Sequence, residues 1–582
     1  MSGLSPAALM PLAVVLPISG AVLAPLLARI SVRAPLVVSL VAMAGSTAVL
    51  GLLTPSVFDG RVVVHYLGGW EPVHGAALGV TFAADPFGLT YALLCSVVGG
   101  LLLLYTLSEL GDMGAREIGG YAALFQLLLA ALVASALTAD LLNLFVWFEV
   151  AALASYGLTG FFLERPLALE AAFKIMVLTN IAAFLVFVAV AMVYAGHGAL
   201  NFGQVQQALA THLRTADLVA LALLVAGFGV KAGLMPFHGW LADAHTAAPG
   251  PVSALFSGLM VNLGVVAIAR FAYELYVADR GALLGLLTVL GCVSAIAGAA
   301  LALAQDDLKR VLAYDTVSQM GVLLVAVGAG TSEALAGMVY HLVDHALFKT
   351  LLFLCAGAIV HATGMTKLSE MGGLARQRPV LTAAFVVGVL AISGVPPLNG
   401  YVSIGLIHHA LEAEHPVQLA ALVVAQVVTI AALGRATYLA FFRRRHDEYD
   451  TLERLRPGML VALSALGLGC VAFGALPNQV LSHVVAPAAA ALEHGHDYAA
   501  ATLSGGGRLP VAEVPFEYFS PSIVGVMLGT VLLGALLARW YVRREREPRP
   551  VTWLRAVHTG SVNDYAAYAA FGTVVAVLVL LL

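Results

Sequence analysis

The stretch GFGVKAGLMPFHGWLADAH, Gly227 to His245, sets a lysine inside an apolar run and a proline five residues later. A charge in an apolar helix is costly, about 2.5–3.5 kcal/mol on insertion scales, so Lys231 needs a partner, a wet cavity or a task. Pro236 removes a backbone donor and frees carbonyls that can hold water or a cation, so the break hydrates the neighbourhood of Lys231.

The solvent around this stretch follows from composition. With 582 residues, 61% hydrophobic and 11% charged, the chain is too apolar for water and takes the bilayer as its main solvent. Windows of about 20 apolar residues give sixteen spans between residues 7 and 582. Runs this long without dyad alternation are helices, since lipid admits only helices and closed barrels. The N-terminus, MSGLSPAALMPLAVVLP, lacks a basic n-region and is read as a retained first span.

Lys and Arg gather on the cytoplasmic side of short loops. An external N-terminus puts Arg29, Arg33, Arg116, Arg165, Lys309, Arg310, Lys367, Arg376, Arg378 and the arginines of 443–456 and 539–555 inside. Only Arg61, Arg214, Arg270, Arg280 and Arg508 fall outside, so both termini are expected outside. Lys174, Lys231, Lys349 and Arg435 remain within spans. Arg435 is expected to snorkel. Glu149 lies mid-span in LNLFVWFEV, and His341, His345 and Lys349 recur every fourth residue, on one helix face. A single buried charge is as well explained as a tie between helices; Glu149, Lys174, Lys231, His341, His345 and Lys349 together favour an ion path.

Other features have blander readings. Asp85, Asp140 and Asp217 open spans and suit N-caps. Asp315 is read as a counter-charge to Lys309 or Arg310. The cysteines 95, 292, 355 and 470 sit in apolar runs without ligand spacing, as small hydrophobes. His494 and His496 are assigned to a solvated loop, residues 55–83 to an external hairpin, and 477–519 to a cover over the outer mouth. No GxGxxG, Walker, CxxC or haem motif appears, so no cofactor and no metal site is expected, nor nucleic acid as a partner. Energy must come from a redox partner or an ion gradient.

Pro236 in the seventh span and SGVPP, Ser393 to Pro397, in the twelfth are interruptions five spans apart. Matching breaks indicate an internal repeat, and an odd repeat length inverts the second copy.

LNLFVWFEV, GFGVKAGLMPFHGWLADAHTAAPGPVSALFSG, DDLKRVLAYDTVSQMG and HLVDHALFKTLLFLCAGAI, in this order over about residues 80–445, resemble the antiporter-like membrane subunits of respiratory complex I, Mrp-type cation/proton antiporters and energy-converting hydrogenases. GGWEPVHGAALGVTFAADPFG is most similar to the Mrp D-type subunit; the tail HTGSVNDYAAYAAFG resembles the longer complex I and hydrogenase subunits. The resemblance implies an all-α fourteen-helix core with two inverted five-helix repeats, here 111–275 and 276–445. Residues 1–110 precede them, and 446–582 carry the last core helix plus two extra helices expected against a neighbouring subunit.

It further implies that Glu149 pairs with Lys231 beside Lys174, and that His341, His345 and Lys349 continue the axis; His238 is added to the pathway set, and His408, one turn beyond Ile404, is read either as a substitute carrier or as an interfacial pair with His409. A lysine, with a reference pKa near 10.4, exchanges protons near neutrality only where burial lowers that value and a moving carboxylate restores it. The cargo is protons, with Na+ as the alternative, in the plasma membrane among other membrane subunits. Asn262 stands where many relatives carry lysine, and Ile404 where they carry lysine or glutamate. The readings are a D-like antiporter subunit, a pump subunit of a complex I-like or hydrogenase complex, or a non-translocating scaffold.

Overall fold

A computed structural model describes residues 5–109, 113–277, 280–444, 455–510, 520–544 and 560–582, together with 514, 516, 517, 552 and 558. Fifteen helices among them are long and apolar enough to cross a membrane. The crossing helices, in chain order, are α1 (Pro6–Leu27), α2 (Ala34–Val57), α3 (Pro86–Glu109), α4 (Ala115–Leu137), α5 (Leu141–Thr159), α6 (Pro166–His197), α7 (Thr215–Ala232) and α8 (Gly250–Leu275). They continue as α9 (Gly281–Ala304), α10 (Leu308–Ala329) and α11 (Ser332–Thr363). The twelfth is split into α12a (Pro379–Ile392) and α12b (Asn399–Glu412), each 14 residues. Then follow α13 (Pro416–Phe442), α14 (Pro457–Ala475), α15 (Pro521–Val542) and α16 (Val562–Leu581).

The two breaks fall where the sequence interrupts its apolar runs. α7 ends on Gly233, whose φ of 67° is open to glycine, and the chain resumes as the short helix Leu241–Ala247. Around the break Ser294 Oγ accepts from Met235 N and Trp240 Nε1 donates to the Val230 carbonyl, so part of the freed backbone is paired inside the protein. α12a and α12b are separated by Ser393 to Leu398, with Gly394 at φ 71°.

Loop pairing fixes the parity of the crossings. Strand β1 (Arg61–Tyr66) pairs antiparallel with β2 (Thr81–Ala84), in register Val63↔Ala84, and with β3 (Gly506–Arg508), in register Arg61↔Arg508. The expected hairpin therefore exists, and the segment after α14 adds its third strand. Bridges Phe82↔Thr138 and Asp140↔Asn201 bring the loops after α4 and α6 to the same side. On the other side Asp307 bridges Lys367, Arg443 donates to the Ser369 carbonyl and Arg456 to that of Ser108. An odd error in the count would scramble these partnerships.

α15 and α16 pack on their own chain with one face: a Cβ at Gly534 would meet Ile430 of α13, and one at Gly572 would run into Pro236 and Phe237. Several expectations are corrected. Arg270 is no loop residue; it lies in α8, buried. Lys309, also assigned to a loop, is buried at the start of α10 and donates to the Ala248 carbonyl at 2.7 Å. Asp140 caps α5 through Asn143 N at 2.8 Å, and Asp85 accepts from Phe87 N at 3.1 Å; Asp217 instead sits inside the first turn of α7 and grips Arg214. His494 and His496 lie at the junction of two helices, Ala486–Glu493 and Gly495–Ser504, and His496 Nδ1 is 3.0 Å from Gln206 Oε1. The four cysteines are free, with only Cys292 partly exposed.

Candidate functional site: a buried polar axis

Lys231 lies at the last turn of α7, fully buried, and its Nζ makes no hydrogen bond. It lies over the face of Phe148, whose centroid is 4.9 Å away. Phe148 is the neighbour of Glu149 on α5, and successive helix residues point about 100° apart. The buried ring packs edge-on against Phe228 of α7 at 5.1 Å, while Glu149 is only half-buried. Lys231 Nζ makes no hydrogen bond to Glu149 in this conformation, yet the two charges act on each other electrostatically across a longer gap.

Lys174, near the start of α6, has carboxylate partners of its own. Its Nζ is 2.6 Å from Glu170, one turn earlier on α6, and 2.8 Å from Asp243, which also holds Arg310 at 2.5 Å. This four-member cluster joins α6, the helix after the α7 break and α10. His238, in the break itself, meets His558, with the two Nε2 atoms 2.5 Å apart.

On α11 the stripe is as expected: His341, His345 and Lys349 are all fully buried. His341 bonds Ser403 on α12b at 3.0 Å and Gln319 on α10 at 2.9 Å. His345 has no hydrogen-bond partner on either ring nitrogen, and neither has His245, which stacks on Phe353 at 4.6 Å. Lys349 pairs with Asp315 at 2.5 Å, and Thr429 of α13 donates to the same carboxylate at 3.2 Å. Asp315 therefore counters Lys349 rather than Lys309 or Arg310: it lies about two turns into α10, past the helix start where those cations sit. His408 is buried on α12b one turn beyond Ile404, itself buried; His409 faces out to Glu333 at 2.7 Å. Asn262 donates through Nδ2 to the Gly258 carbonyl at 3.0 Å, while its buried Oδ1 has no hydrogen-bond partner.

Residues that the sequence pattern did not single out extend this network. Asp344 accepts from Asn399 at 2.8 Å across the α11–α12b contact. Arg270 binds Asp85 and Glu274, each at 2.6 Å, with Tyr498 under its guanidinium at 5.1 Å. The i, i+4 spacing of Arg270 and Glu274 was the available signal; their position next to a loop hid it. His558 could not have been found by local pattern, since it lies 320 positions from His238.

Comparison with known proteins is consistent with this architecture. The NADH:quinone oxidoreductase/Mrp antiporter transmembrane family matches residues 138–429. The chain is 33% identical to the N subunit of the NADH-quinone oxidoreductase of Desulforudis audaxviator, over 81% of this chain and 97% of that protein. It is 31% identical to the D-type subunit of the Na(+)/H(+) antiporter of Alkalihalophilus pseudofirmus, over 71% of this chain and 83% of that one. A chain in the structure of the Mrp complex from Dietzia sp. DQ12-45-1b superposes with a TM-score of 0.76 at 25% identity, covering 86% of this chain and 99% of that one. The chain belongs to the NADH:quinone oxidoreductase/Mrp antiporter family of multi-span membrane proteins.

Proposed function

We propose that this chain is an ion-translocating subunit of a multisubunit membrane complex, moving protons or exchanging cations for protons, with the Mrp D-type subunit as the preferred reading. The observation that carries it is the row of buried ionisable side chains: Lys231, His245, His345, His341 and Lys349, three of them without hydrogen-bond partners. Burial without pairing is what a purely structural tie avoids and what a transiently charged carrier requires. Histidine relays in both directions near neutrality.

In this mechanism Glu149 is the moving counter-charge. Swinging toward Lys231 it favours the charged lysine; swinging away, it leaves the lysine to release its proton to the histidines. Residues 111–275 and 276–445 act as the two inverted repeats, Lys174 and His238 serve the first and His408 the second, in the plasma membrane with both termini outside. Similarity to subunits of larger complexes supports neighbouring membrane subunits as partners. The test is transport by the reconstituted complex: Lys231→Ala or Glu149→Ala should abolish most of it while the composition of the complex stays unchanged, and wild-type rates in either variant would sink the reading.

One observation favours the scaffold reading of the second half. Ile404 is buried next to Ser403, the partner of His341, and an isoleucine carries no proton. His408→Ala separates the cases: an unchanged rate points to a route that bypasses α12b, a fall points to His408 as the substitute carrier.

A further inference from the structure

The C-terminal helix closes against the break in α7, and it brings a titratable group with it. His558 Nε2 lies 2.5 Å from His238 Nε2. At that separation two lone pairs repel and two N–H groups collide, so a single proton lies between the rings. His238 is buried, and its other ring nitrogen, Nδ1, has no hydrogen-bond partner, which leaves a second position for a proton on the inner side of the pair.

The surroundings connect the pair outward. Tyr314 of α10 sits edge-on to His558 at 5.5 Å, and Tyr565 of α16 lies 6.5 Å from it. Gly560, two residues after His558, approaches Lys174 Nζ so closely that a Cβ there would lie 3.8 Å away. Lys174 belongs to the Glu170–Asp243–Arg310 cluster, in which the side chains of Lys174 and Asp243 are 7% and 13% exposed while Glu170 and Arg310 are 57% and 39% exposed. Polar groups thus lead from the surface carrying the basic loops, through the cluster, to the histidine pair, and Lys231 lies on the other side of the break, at the end of α7. The groups facing the pair are His238 and Asp243 after the α7 break, Tyr314 and Arg310 on α10, Lys174 and Glu170 on α6, and Tyr565 on α16.

We infer that His558 is a further proton-carrying residue of this chain: with His238 it forms a shared-proton gate that hands protons between the Glu170–Lys174–Asp243–Arg310 cluster and the α7 break. The step is a transfer only. The cluster side protonates His558 as the shared proton moves onto His238 Nε2, and His238 releases a proton from Nδ1 inward, so no co-reactant is consumed. This inference rests on the proposed transport function.

The experiment uses the full complex in proteoliposomes, comparing wild type, Lys231→Ala, His558→Gln and His238→Gln over pH 6–9. Glutamine keeps the size and a hydrogen-bonding end but does not titrate. The expected result for His558→Gln is intact assembly, a rate lowered about tenfold or more and loss of one ionisation from the pH–rate profile. His238→Gln should match it, and the double variant should be no slower. A wild-type rate and profile in His558→Gln overturns the proposal. So does a uniform slowing with an unchanged profile, or lost assembly, since each marks the contact as packing. A wild-type complex that carries no ions refutes the transport reading instead; an active wild type, an inactive Lys231→Ala and an unaffected His558→Gln refute this inference alone.

Discussion

At the scale of single residues, the two central lysines are opposites. Lys349 and Asp315 are both fully buried and meet at 2.5 Å, with Thr429 holding the free side of the carboxylate. Removing one member of such a pair strands the other charge, at a cost of about 3–5 kcal/mol, whereas replacing both with apolar groups of similar size is often neutral. Asp315→Asn should therefore lower the thermal unfolding midpoint clearly, and Asp315→Leu combined with Lys349→Met should restore much of it; equal midpoints for single and double variants would contradict the pairing. Lys231 has no such partner. Lys231→Met is expected to hold or raise the midpoint while transport is lost, a split that a structural lysine would not show. Residue types at these positions were readable from spacing, but the partnerships were not. Nothing local to Asp315 distinguishes Lys349 from Arg310, because the choice depends on how α10 is rotated against α11.

At the scale of elements, the helices approach through small residues. A Cβ on Gly264 of α8 would collide with the Phe228 carbonyl and Ala232 of α7. Gly264→Val should push α8 from the broken helix and reduce assembled protein, while Gly525→Val on α15, with nothing within 4 Å, should leave assembly unchanged. The Asp85–Arg270–Glu274 triad ties α3 to α8 beneath Tyr498. Arg270→Met removes the cation from between two buried carboxylates, and the expected outcome is a lower midpoint, read by detergent-solubilised thermal unfolding. The breaks in α7 and α12 were legible, because proline and glycine act on their own backbone. The role of α16 was not: its apolar length announced a span, but its docking on Pro236 and Phe237 depends on surface shape.

At the scale of the whole molecule, the three-stranded sheet ties residues 61–66 to 506–508, and so the segment after α14 to the one after α2. Both segments must then lie on one side, as the alternation of sixteen crossings requires. With the basic loops inside, a cysteine reporter placed beside Arg61 should react with an impermeant thiol reagent from outside, and one beside Lys367 should not. The reverse labelling would invert the orientation and with it the direction of transport.

The amino-acid sequence by itself determined the solvent, the many-helix membrane fold, the two broken helices and the polar stripe on α11. Each is a one-dimensional property, set by hydrophobic length, backbone chemistry or the helical period. Tertiary structure alone decided that Lys231 meets the face of Phe148, that Lys174 belongs to Asp243, that Arg270 is an interior cation and that His558 reaches His238. These are contacts between distant segments, and they follow from how helices rotate and pack, which no local pattern encodes.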